Sequence, residues 1–172
     1  FIDGPEVPIM DGSALPFVAA LRDKLTPAPA GEVIEVRRPA MVSDGSAFVA
    51  LLPHAGCRFD VGIDFPAPVI GRQRVTFDLS ADGFEREIAP ARTFGPLKGV
   101  ERMRRRGYAK GASLDNAIAV DGDHVANPEG LRFPDEFARH KLLDAVGDLA
   151  LAGRPIRGLY RAHKGGHRLN FE

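Results

Sequence analysis

His140, Asp144 and Asp148 recur at four-residue steps along residues 135–152, a stretch whose apolar spacing predicts one amphipathic helix. Four residues advance a helix by one turn and a small rotation, so the three side chains rise one above another on nearly the same face. An imidazole and a carboxylate so placed can grip one metal ion. Asp148, a turn further along, can steer another residue that approaches the ion, and Lys141 lies beside the stripe. Any amphipathic helix also carries a polar face of this kind, and His-x-x-x-Asp is only part of a metal signature. The sequence beyond the helix adds weight to the chemical reading. The helix ends near Gly153, a strand over 156–162 follows, and the chain then reads His163-Lys164-Gly165-Gly166-His167. A Gly-Gly turn admits positive φ and a tight reversal. His167 is therefore expected to return to the helix face, where His140, Asp144, Asp148 and His167 converge.

The rest of the chain must carry these groups. Residues 1–25 read as a strand end, a Pro5-Glu6-Val7-Pro8 connection, a turn at Met10-Asp11-Gly12-Ser13, and a short helix through Phe17, Val18, Leu21 and Leu25. Pro16 fits the first turn of that helix, where its missing N–H costs nothing. Thr26-Pro27-Ala28-Pro29-Ala30-Gly31 has the composition of a stiff linker and marks the expected domain boundary. Strand patterns follow at 32–37, 48–52, 58–65 and 74–79. The third alternates, with Phe59, Val61, Ile63 and Phe65 on one side and Arg58, Asp60, Gly62 and Asp64 on the other, which predicts one buried face.

Pro53-His54-Ala55-Gly56 supplies the turn before that strand. Ser80-Ala81-Asp82 caps a short helical stretch, 91–95 reads as a strand, 97–106 as a helix, 117–120 as a short strand, and Asn127-Pro128-Glu129-Gly130 as a turn. Residues 96–125 thus form a helix and strand excursion ahead of the main helix. Strands first, helix later and antiparallel hairpins throughout give an α+β plan, an antiparallel or mixed sheet layered on helices.

The 172 residues, 44% hydrophobic, suit one domain with a proper core or one domain and part of another. Lys plus Arg equals Asp plus Glu at 23 each, so no overall charge points to nucleic acid or an anionic membrane. The single Cys57 makes no internal disulfide and fits a reducing compartment, so a cytoplasmic location is expected. No apolar run approaches the roughly 18 residues of a membrane span. The chain begins at Phe1 rather than Met and stops soon after the Gly-Gly-His turn, which reads as a fragment.

At residues 135–149, Asp-Glu-Phe-Ala-Arg-His-Lys-Leu-Leu-Asp-Ala-Val-Gly-Asp-Leu, the sequence closely resembles the UDP-3-O-acyl-N-acetylglucosamine deacetylases (LpxC), zinc enzymes of lipid A synthesis in Gram-negative bacteria. Further stretches agree in order: Pro5 to Ser13, Ala91-Arg92-Thr93-Phe94-Gly95, Gly111 to Ile118, Asn127 to Phe133, and Gly165-Gly166-His167-Arg168-Leu169-Asn170. The resemblance implies two similar domains, each a sheet layered on a pair of helices with zinc at their junction. Residues 1–29 would be the end of the first domain and its linker, and 30–172 most of the second, with an insert at about 96–125 that forms a passage for the substrate's acyl chain. The helix that should follow Asn170 would be absent.

By the same resemblance, His140 and Asp144 are two of three protein zinc ligands. His167 is the catalytic histidine, held by Asp148 and protonated when it stabilises the oxyanion or protonates the leaving amine, and Thr93 helps hold that oxyanion. Lys141 contacts substrate phosphate, Phe94 lines the acyl passage, and Asp64 and Phe65 lie on the nucleotide side. The implied substrate is UDP-3-O-acyl-N-acetylglucosamine, the implied cofactor Zn2+, and the expected state a monomer with no stable membrane insertion. Bound zinc lowers a water pKa to about 7, and one oxyanion donor is worth on the order of 3 kcal/mol of barrier.

Four departures stand out. The family's Glu-His pair, its general base and remaining ligand, is not found in this sequence, so the fragment alone is expected to bind zinc poorly and to be inactive. Pro96 and Lys110 occupy positions that are usually apolar, and Ala47 replaces a phosphate-contact lysine of some members. Two rival readings are a non-catalytic homologue and a module binding phosphate or nucleic acid through Arg102-Met103-Arg104-Arg105-Arg106. His54, His124, Ser13 and Ser113 read as turn or surface residues, and His163 has no assigned role.

Overall fold

A computed structural model describes residues 3, 7–26, 31–107 and 110–172, without the side chains of residues 101–103. The expected strand end at the start of the chain and most of the 26–31 linker lie outside the described residues. In chain order the elements are α1 (Leu15–Leu21) with a 3₁₀ turn (Arg22–Lys24), β1 (Ile34–Glu35), β2 (Ala40–Asp44), β3 (Ala47–Leu52), β4 (Cys57–Asp64) and β5 (Arg72–Asp78). Then come α2 (Ala81–Gly83), a π turn (Phe84–Ile88), β6 (Phe94–Pro96), α3 (Leu97–Arg105), β7 (Ile118–Asp121), β8 (His124–Val125), α4 (Glu136–Ala150), β9 (Ile156–His163) and α5 (His167–Phe171).

The main sheet runs β2-β3-β9-β4-β5, with the two-residue β1 paired to the start of β9. β9 is antiparallel to β3 and parallel to β4, so the sheet is mixed rather than made of hairpins throughout. A parallel neighbour needs a crossover, and α4 is the long helix of that crossover. It lies on the sheet's inner face, burying Phe137, Ala138, Leu142 and Ala145 against Phe59, Val61 and Ile63 of β4, Val75 and Phe77 of β5, and Tyr160 and Ala162 of β9. The alternation expected of β4 is present on this face. On the opposite face Asp60 is also buried, because Arg74 and Arg161 close over it with bonds of 2.6 and 2.9 Å.

The sequence reading missed β2 and β8. β2 joins β3 through Gly45-Ser46, with Gly45 at φ +57°; a Gly-Ser pair between two strands is a hairpin signal that could have revealed it. β8 returns along β7 across Gly122, in a three-stranded sheet β6-β7-β8. Ser80 caps α2 as expected, its hydroxyl accepting from the Gly83 amide. Pro16 stands in the first turn of α1, and no residue of α1 is buried.

Candidate active site

α4 carries the chemical groups, and the chain on either side of it turns them into two pairs. His140 is 8% exposed, so it is not on an open polar stripe. The segment leading to β6 covers it: the Ala91 carbonyl lies 3.0 Å from Nδ1 and the Phe94 ring centroid 6.1 Å from the imidazole centroid. A carbonyl can only accept, so Nδ1 carries the proton and Nε2 keeps its lone pair. Nε2 faces Oδ1 of Asp144 at 3.5 Å. Burial pushes the His140 pKa down, with the Asp144 carboxylate pulling the other way. The ring is thus a neutral donor with its free nitrogen beside a carboxylate, the arrangement in which an orienting carbonyl prepares a metal ligand. Oδ2 of Asp144 accepts from Lys141 Nζ at 2.8 Å.

One turn further on, Asp148 accepts from Nδ1 of His167 at 2.8 and 3.0 Å. The Asp148 side chain is 11% exposed and that of His167 60%, so a mostly covered carboxylate holds an open imidazole. His167 returns to α4 as the sequence predicts, by a different backbone route. The residue at positive φ is Lys164, at +53°, and Gly166 is extended. Gly165 packs tightly: a Cβ there would stand 3.1 Å from Ala162 Cβ and 3.2 Å from Val49 Cγ2. A helical turn, α5, begins at His167 itself, where no helix was expected.

The four groups therefore form two pairs on successive turns rather than one four-membered cluster. Among the described residues no set of three or more His, Cys, Asp or Glu side chains stands close enough to hold a metal. His140 and Asp144 fit a metal as two ligands. A small pocket between α4 and the β9–α5 turn is lined by Lys141, Asp144, Tyr160, Gly165, Gly166 and Asn170.

Thr93 belongs to the segment that covers His140. Its N–H donates to the Gly12 carbonyl and its carbonyl accepts from the Ile118 amide, each at 2.7 Å. Gly12, at φ +83°, packs so closely that a Cβ would stand 2.2 Å from the Asn116 carbonyl oxygen. The Met10 to Ser13 turn is thus the backing of Thr93. Phe94 meets Phe65 and Phe137 edge-on at 5.4 and 4.9 Å, and Lys141 Nζ lies 5.9 Å from its ring centre. Asp64 pairs with Lys164 at 3.1 Å and Arg72 at 3.4 Å, and Lys164 above all holds its carboxyl below the usual carboxylate range.

Thr93 and Phe94 also open onto a cavity of about 770 Å³ walled by β6, α3 and β7, including Leu97, Val100, Leu114 and Ile118. Its wall is where the basic helix leads: Arg104 donates to the Ala112 carbonyl at 2.7 Å and Lys98 lies 3.5 Å from Asp121. The side chains of Arg102 and Met103 lie outside the described residues. His54 accepts from the Gly56 amide within its turn, His124 lies beside Asp121 and Asp123, and the His163 ring lies against Phe48.

Two supporting features escaped the sequence reading. Glu136, fully buried at the start of α4, accepts from both the backbone and the guanidinium of Arg92 at 3.0 and 2.9 Å. This clamps the segment carrying Ala91 and Thr93 onto α4. Asn170 donates to Asp148 at 2.7 Å and accepts from the Tyr160 hydroxyl at 2.7 Å. Periodicity cannot flag a buried ion pair or an amide bridge, since both depend on elements far apart in sequence.

The sequence profile of the family described as "UDP-3-O-acyl N-acetylglycosamine deacetylase" matches residues 1–172. The chain is similar to enzymes named UDP-3-O-acyl-N-acetylglucosamine deacetylase from Campylobacter concisus (50% identical over 173 residues), Myxococcus xanthus (49% over 174) and Brucella ovis (46% over 174). Each comparison covers 99% of this chain and, respectively, 59%, 55% and 61% of the relative. The chain therefore spans somewhat more than half the length of these relatives.

Proposed function

The chain belongs to the UDP-3-O-acyl N-acetylglycosamine deacetylase family, and from that premise we propose that it supplies two zinc ligands and the proton-handling histidine of an enzyme of lipid A synthesis. The reaction is hydrolysis of the N-acetyl amide of UDP-3-O-acyl-N-acetylglucosamine. The observation that carries this reading is the pairing on α4: His140 with its Nε2 lone pair toward Asp144, and Asp148 with His167 one turn on. Zinc, when bound, supplies a Lewis acid that polarises the amide carbonyl and acidifies a water.

His140 and Asp144 hold the ion, with the third ligand drawn from outside the described residues. His167, steadied through Nδ1 by Asp148, holds a proton at Nε2 and delivers it to the departing amine. The Thr93 hydroxyl donates to the oxyanion, a stabilisation specific to the transition state. Lys141 meets a substrate phosphate, with Asp64 and Phe65 on the nucleotide side. Phe94 and the cavity beyond it take the acyl chain. Residues 1–29 are then the end of a first domain and its linker, and 30–172 the greater part of a second. A cytoplasmic enzyme fits this role; no helix among the described residues is long and apolar enough to cross a membrane.

The test uses this chain extended to the length of its relatives. Acetate release from UDP-3-O-acyl-N-acetylglucosamine is expected together with about one zinc per chain, and His140→Ala should abolish both. Full zinc retained in His140→Ala, or no acetate release from the zinc-loaded extended protein, would overturn the reading.

A further inference from the structure

His167 is held by more than Asp148. Both His167 and Asn170 lie on α5, three residues apart and so on one helical face, and both reach the same carboxylate: Asn170 Nδ2 donates to Asp148 Oδ2 at 2.7 Å, the oxygen that His167 Nδ1 meets at 2.8 Å. Behind Asn170 stands Tyr160, 3% exposed, whose hydroxyl lies 2.7 Å from Asn170 Oδ1. An ionised carboxylate only accepts, so the Asn170 amide must turn its NH2 to Asp148 and its oxygen to Tyr160. The Tyr160 hydroxyl must then donate. Every hydrogen in the series points toward Asp148.

The Tyr160 hydroxyl stays protonated for this task, because burial foremost and then the Asp148 charge push its pKa up. Its ring is fixed in the centre of the sheet against Phe59, with centroids 5.5 Å apart.

We propose that Asn170 and Tyr160 are positioning residues for His167: together they fix the rotation of the Asp148 carboxylate, so that neutral His167 keeps its proton on Nδ1 and leaves Nε2 with its lone pair free. The assignment rests on the reading of His167 as proton donor in the deacetylase, yet its test requires neither metal nor substrate.

In the 172-residue chain, long-range ¹H–¹⁵N spectra of the His167 ring report the tautomer of the neutral imidazole directly. The Nδ1–H form is expected to dominate. Asn170→Leu removes the donor at similar size and should lower the ratio of Nδ1–H to Nε2–H on the order of tenfold, as for loss of a charge-assisted bond. Tyr160→Phe, which keeps the packed ring, should lower it in the same direction by less, and it serves as the test if Asn170→Leu disrupts folding. A His167 tautomer unchanged in Tyr160→Phe and in every folded Asn170 variant would overturn the proposal. Failure of the extended protein to bind zinc or release acetate would count against the deacetylase reading and leave this ring signature intact.

Discussion

The carbonyl oxygen of Ala91 stands 3.0 Å from Nδ1 of His140, and that contact decides which ring nitrogen is open to a ligand. It also buries the imidazole in its neutral form. The His140 pKa is lowered in the folded protein, chiefly by burial, while the unfolded chain takes up its proton near pH 6.5. Below that value the unfolded state binds more protons than the folded one, so stability falls as pH drops toward the lowered folded pKa. Urea midpoints of the metal-free chain should therefore decrease from pH 7.5 to 5.5. The decrease should be smaller in His140→Gln, and equal slopes in the two proteins would contradict it.

The Arg92–Glu136 pair gives a stability prediction. Glu136 is fully buried and Arg92 3% exposed, so removing Glu136 leaves the buried guanidinium with only Glu129 and the Gly130 carbonyl as partners. Glu136→Ala should cost about 1–3 kcal/mol of folding free energy, the range for a buried polar group that loses a partner, read as a lowered urea midpoint. Because the pair holds the strand segment over His140, the Phe94 and His140 ring resonances should shift as well.

Asp60 supplies the acid limb. Arg74 foremost, and Arg161 with it, lower its pKa, so its contribution is present above the unfolded carboxyl pKa of about 3.9 and is lost as pH falls through the lower folded value. Asp60→Asn should be less stable than the parent at pH 7. The gap should close on acidification below about pH 4, as followed by circular dichroism; a gap independent of pH would assign the effect to packing.

Thr93 is pinned through its backbone by Gly12 and Ile118, so its hydroxyl can be removed with little disturbance. In the extended enzyme Thr93→Val should lower kcat on the order of 100-fold, the usual loss for one oxyanion donor, with KM and thermal midpoint nearly unchanged. An unaltered kcat would remove Thr93 from the chemistry.

The sequence made α4 legible because its apolar residues repeat at helical spacing, and the His140, Asp144 and Asp148 steps follow from helix geometry alone. The alternation in β4 fixed its buried face in the same way. The hidden parts depend on long-range contact. Nothing local to His140 foretells that Ala91 will cover it, and the Gly165-Gly166 pair suggested left-handed backbone where the structure packs Gly165 closely and puts the positive φ on Lys164. β2 and β8 are short, and their Gly45 and Gly122 turns were the available signal. The mixed pairing of β9 could not be read from hydropathy, since parallel and antiparallel partners bury the same face.

β9 enters the sheet between β3 and β4 although it is made about a hundred residues after them. During vectorial synthesis the two earlier strands must wait with their facing backbone groups unmatched until the ribosome has released 156–163. Such distant pairing slows folding, and the same late strand leads directly into the turn that delivers His167. Completion of the β-sheet and delivery of His167 to Asp148 are therefore one event, and a nascent chain halted before this segment would expose two adhesive edges for aggregation or chaperone capture.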